Sequence, residues 1–85
     1  MINVGDNVYV IGHVYYHFLG EVVEITTRSV TLKNCWLVHS CKRGWREFFR
    51  DGCEDDTTCF RWPDGTILPF GGMPVAPWKH PLPKE

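Results

Sequence analysis

The chain lacks a basic surplus, a long apolar run and any closely spaced pair of cysteines, and each absence removes a class of function. Its 9 Lys and Arg stand against 10 Asp and Glu, for a formal net charge of −1 and a pI near 6.4. A protein that grips duplex DNA displaces counterions with a clear basic excess, so duplex DNA is not an expected partner. No stretch approaches the roughly 18 apolar residues of a membrane span. Met1-Ile2-Asn3-Val4-Gly5-Asp6 has no basic start followed by an apolar stretch. No secretion signal is therefore read there, and the expected compartment is the cytosol, where thiols stay reduced.

The four cysteines fall in two pairs, Cys35/Cys41 and Cys53/Cys59. Structural zinc sites set paired cysteines roughly two to four residues apart, because a tight knuckle aims both sulfurs at one ion. The pairs here are spaced more widely. Buried free thiols are the expectation, and a zinc set drawn from Cys35, His39, Cys41, Cys53 and Cys59 is the alternative. His13 and His17, in extended chain, stand roughly 13 Å apart and do not share an ion. No nucleophile elbow or Ser-His-Asp order is present, so no enzyme activity and no cofactor are expected.

What is present is apolar and aromatic mass. Of 85 residues, 44% are hydrophobic and 14% aromatic, which suits one small domain. A chain of this size has a thin core, and the rings exceed what it can enclose. The surplus is expected to line a pocket or a contact between subunits of a homo-oligomer.

Asn7-Val8-Tyr9-Val10-Ile11 reads as a first strand, and about 16–26 as a second, bent at Gly20. Val30-Thr31-Leu32-Lys33-Asn34 alternates as a third. Trp45, Phe48 and Phe49 then stand at i, i+3 and i+4 on a helix over about 43–51, stopped by Gly52 and expected to face the core. Thr57 to Trp62 and Thr66 to Phe70 flank the turn Pro63-Asp64-Gly65. The Pro-rich tail, 73–85, is expected to be extended and docked through Trp78. The pattern predicts a mainly β fold over 1–72: a small five-stranded, partly open barrel, Sm-like or Src-homology-3-like, with one short helix.

The strongest binding signal is Lys42-Arg43-Gly44-Trp45-Arg46 at the predicted helix start, with Arg50 one helical turn further. Arginines grip phosphate with two prongs and rings stack on bases. Tyr16, Trp36, His39, Lys42, Arg43, Trp45 and Arg46 are the candidate ligand-binding residues for a phosphate-containing, nucleotide-like small molecule. The competing reading is a solvated helix face whose arginines pair with Glu47 and the acidic Glu54-Asp55-Asp56.

Three places in order, Gly20-Glu21-Val22-Val23, Val30-Thr31-Leu32 and a helix closing on Asp51-Gly52, carry a resemblance. With the tail Gly72-Met73-Pro74-Val75-Ala76-Pro77-Trp78, they resemble a family of small bacteriophage proteins of unknown function. Where that pattern is basic after the third strand, this chain reads Cys35-Trp36-Leu37-Val38-His39-Ser40-Cys41. The resemblance implies a phage origin, action in the host cytosol and a small barrel. By analogy with phage immune-evasion sponges, it implies sequestration of a nucleotide second messenger without cleavage. A module that blocks a host protein is the second reading, and a single-stranded nucleic-acid binder the third.

Overall fold

Strands form where β-branched and aromatic residues cluster, and they take up about half of this chain. The computed structural model describes residues 2–13, 16–69 and 75–84. Its strands are β1 (Asn7–His13), β2 (Tyr16–Ile25), β3 (Ser29–Cys41), β4 (Thr57–Arg61), β5 (Thr66–Pro69) and β6 (Val75–Pro77). One helix, α1 (Trp45–Asp51), lies between β3 and β4. All pairings are antiparallel, in the order β4-β3-β2-β1-β6, with β5 also on β3. The sheet is not closed among the described residues. It has six strands where five were expected, because the tail segment Val75–Pro77 pairs with Val8–Val10 of β1.

The expected third strand stops at Asn34, whereas β3 runs on to Cys41 and changes partner on the way. Its first part pairs with β5 and its second with β4. At the change Asn34 takes φ 48°, and its N–H donates to Asp64 Oδ1 at 2.9 Å. Trp62 N–H to the Cys35 carbonyl (2.8 Å) and Gly65 N–H to the Leu32 carbonyl (2.9 Å) complete the clip. Gly20 faces this kink across a register shift, as the bend read at Gly20 requires. A Cβ there would lie 2.9 Å from Leu32 Cδ1 and 3.2 Å from the Lys33 carbonyl oxygen, so only glycine lets the strands approach. A second shift leaves His39 as the extra residue between Val38↔Cys59 and Ser40↔Thr58.

Side chains alternate along β1, and both faces are buried. Val8 and Val10 join Phe18, Val22, Val30, Leu32, Cys35 and Leu68 in an aliphatic layer. Tyr9 joins Leu19, Trp36, Val38, Phe48 and Trp78 in an aromatic layer, which α1 and the tail cover. The helix has seven residues and no side-chain cap at Gly44, too little to be stable alone. Phe48, fully buried, anchors it. Trp45, half-buried, packs against the same layer as expected, whereas the expectation for Phe49 is corrected: it is 45% exposed. A helix lying flat on a sheet turns one position inward, and the residue about 100° further round reaches the rim.

Candidate ligand pocket

Arg43, the centre of the expected phosphate site, is already engaged by carboxylates. Its Nε donates to Asp56 Oδ2 at 2.7 Å, Nη1 meets Glu54 Oε2 at 3.2 Å and Asp51 Oδ2 at 3.4 Å, and Nη2 donates to the Gly52 carbonyl at 2.8 Å. Its backbone N–H also donates to Asp56 at 3.1 Å. Burial disfavours ionisation of Asp56, but the Arg43 hydrogen bonds outweigh it and hold the carboxyl below its usual range. Arg43 thus ties β3, the end of α1 and the acidic loop together. Lys42 and Arg46 are exposed and make no ion pair among the described residues.

The other expected site residues scatter. Trp36 is buried in the aromatic layer with the Arg61 guanidinium 5.8 Å from its ring centroid. His39 is exposed at the bulge, edge-on to Phe60. Trp45 stacks on His17 with centroids 4.1 Å apart. Tyr16 sits on β2, and its side chain lies outside the described residues.

A pocket of about 280 Å³ opens instead at the other end of α1, where the tail crosses β1. Tyr9, Phe49, Trp78 and His80 wall it, and Arg50 and Lys79 stand among its lining residues, which include no carboxylate. Phe49, the helix residue that misses the core, meets the Tyr9 ring edge-on at 4.7 Å. Trp78 is buried, as the docked tail requires, and stacks on Tyr9 (6.1 Å) and Phe48 (5.0 Å). His80 Nε2 lies 3.0 Å from the Phe49 carbonyl oxygen, which joins tail to helix. Gly52, at φ 84°, makes room for this contact, since a Cβ there would come within 2.9 Å of His80 Cβ. Arg50 pairs with Asp51 at 2.9 Å, while Lys79 is exposed.

Burial raises the Tyr9 hydroxyl pKa and lowers that of His17. The Tyr9 hydroxyl and His17 Nδ1 are hydrogen-bonded to each other, which fixes the Tyr9 ring as a wall of the pocket.

A second, wider groove of about 540 Å³ lies over Trp36, between the sheet and Pro81–Lys84. It mixes charges: Glu21, which pairs with Lys33 at 3.4 Å, and Arg61, which pairs with Asp64 at 2.7 Å, with Lys84 near them. Neither recess is lined by Lys42, Arg43, Trp45 or Arg46.

Cys41, Cys53 and Cys59 pack against the aromatic layer, and Cys35 lies in the aliphatic one; all four are free thiols. Burial pushes Cys35 and Cys53 up to about 11, the latter helped by the neighbouring Cys59 and Cys41. Among the described residues no three of His, Cys, Asp or Glu group as a metal set. Of the pocket residues, the sequence singled out Arg50 and Trp78, the first as an outlier of the basic cluster, and missed Tyr9, Phe49, Lys79 and His80 as ligand-facing. Their one local signal is the run Trp78-Lys79-His80, a ring beside a lysine and an imidazole. No family model matches the chain, and neither a curated protein nor a solved structure matches it.

Proposed function

We propose that this protein is a non-enzymatic binding module that holds an anionic, nucleotide-like ligand in the pocket between α1 and the tail. One observation carries the reading: the pocket is walled by Tyr9, Phe49, Trp78 and His80, with Arg50 and Lys79 as its charged lining. Stacking a base on an aromatic side chain contributes ~1–3 kcal/mol, and hydrogen bonds to phosphate are strengthened by charge. A recess of about 280 Å³ takes a base and leaves the phosphates outside it, within reach of Arg50 and Lys79. The bends at Gly20 and Asn34 support reading the open sheet as a small, partly open barrel of Sm-like or Src-homology-3-like type. Together with the phage resemblance, the reading extends to sequestration of a nucleotide messenger in the host cytosol.

The test is calorimetry with adenosine monophosphate, a cyclic dinucleotide and ADP-ribose, on wild type, Phe49→Ala, Lys79→Ala and Arg43→Ala. At least one ligand binds and is recovered chemically intact after denaturation. Phe49→Ala and Lys79→Ala each weaken it roughly tenfold, and Arg43→Ala leaves it unchanged. Weakening by Arg43→Ala alone would return the site to the basic cluster. Absence of binding would favour the protein-blocking module.

A further inference from the structure

We infer, on the premise that the pocket beside Phe49 takes a base, that its ligand is a nucleoside diphosphate whose second phosphate rests on Arg46. Phe49 and Arg50 line the pocket, and both belong to α1. On a helix surface, positions three and four apart are neighbours, with ~5–6 Å between their Cβ atoms. Arg46 stands three positions before Phe49 and four before Arg50. It is therefore the next cation met on leaving the pocket along the helix.

The charges around it favour an anion there. Arg46 is exposed, and among the described residues no carboxylate pairs with it. Glu47 is half-buried and turns back toward the start of the helix, where a Cβ on Gly44 would meet its Oε2 at 3.1 Å. Arg50 donates to Asp51 from Nε and Nη2, at 3.0 and 2.9 Å, and its side chain is 68% exposed. Its Nη1 is left for a ligand. Each guanidinium presents a planar set of donors that matches phosphate oxygens.

The rings of α1 decide between a second phosphate and a second base. Phe48 is fully buried, and Trp45 stacks on His17 with centroids 4.1 Å apart, which leaves Phe49 as the open ring of the helix. A ligand that extends past Phe49 and Arg50 along α1 thus meets a cation and no further stacking platform. A second base needs such a platform, and a second phosphate needs the cation.

Calorimetry of the full chain with AMP, ADP and cyclic di-AMP, free of divalent cations, tests it on wild type, Arg46→Gln and Lys42→Gln. ADP is expected to bind the wild type roughly tenfold tighter than AMP. Arg46→Gln should remove that gain and leave AMP affinity as it was. Lys42 is an exposed cation that lines neither recess, and Lys42→Gln should leave both affinities unchanged. Four results would overturn the diphosphate assignment while the pocket stands: equal affinity for AMP and ADP, equal weakening of both by Arg46→Gln, loss of the gain in Lys42→Gln, or cyclic di-AMP binding tighter than ADP. Binding of none of the three would overturn the assignment and the pocket reading together.

Discussion

The two faces of the sheet are built from different materials. The layer around Val8, Val10, Val22, Val30, Leu32 and Leu68 is aliphatic apart from Phe18 and Cys35. The layer around Tyr9, Trp36, Phe48 and Trp78 is mostly rings, with Leu19 and Val38 between them, and two of its rings have a polar atom that finds a partner. The Tyr9 hydroxyl bonds to His17, and Trp78 Nε1 to the Pro81 carbonyl at 3.4 Å. Aliphatic side chains fill space without direction, whereas rings stack, present edges and leave flat gaps. The first layer holds the bent strands together. The second holds the helix and tail, and its edge forms the pocket.

Substitutions that remove mass from either layer should give the largest losses. Phe48→Ala is expected to cost ~3–5 kcal/mol and Leu32→Ala ~2–5 kcal/mol in chemical denaturation. They should differ in kind: Phe48→Ala should also release α1 and abolish nucleotide binding at temperatures where the sheet persists. An unchanged midpoint for Phe48→Ala would mean that the helix does not pack as described.

Next in size is Gly20→Ala, which drives a methyl into Leu32 and the Lys33 carbonyl. Overpacking of this kind costs ~1–3 kcal/mol, felt in the aliphatic layer and leaving ligand affinity unaltered. Arg43→Ala should cost less than Phe48→Ala and loosen the acidic loop, read as faster amide exchange at Asp56 and Thr57. No change there would show that the bracket is dispensable.

Acid should act on both layers' supports. The folded His17 has a lowered pKa, so the unfolded chain binds the extra proton first. Stability is then complete above about pH 6.5 and falls as pH drops through the folded value. His17→Gln should flatten that part of the profile. At the alkaline end Cys35 and Cys53, raised to about 11, predict a loss that begins near pH 9, where unfolded thiols ionise. A profile flat from pH 8 to 11 would contradict their burial.

Smallest in stability and decisive for the comparison is Phe49→Ala. Its ring is half-exposed, so unfolding should change by under ~1 kcal/mol while nucleotide affinity falls.

The strands were legible where β-branched residues cluster, as in Asn7–Ile11, and Gly20 announced its bend. The helix was legible from one spacing, but a spacing does not distinguish a core position from a rim position, and Phe49 fell on the rim. The second half of β3 was obscured because the kink at Asn34 and the bulge at His39 break the alternation that reveals a strand. The pocket was hidden for a different reason. Tyr9 and Trp78 are 69 positions apart in the sequence, and only the pairing of β6 on β1 brings them together. The basic cluster read equally as a ligand site or as a partner of Glu54-Asp55-Asp56, and only the fold shows Arg43 engaged by Asp56 and Glu54.

Four tryptophans mark the competing places: Trp78 the pocket, Trp36 the wide groove, Trp45 the basic cluster and Trp62 the β4 edge. Their indole N–H signals in a ¹H–¹⁵N spectrum, followed during titration with the tightest-binding nucleotide, therefore locate the ligand in one experiment. The account predicts a saturable shift of the Trp78 signal, with Trp36, Trp45 and Trp62 nearly still. A titration that moves Trp45 or Trp36 and leaves Trp78 unmoved would contradict it.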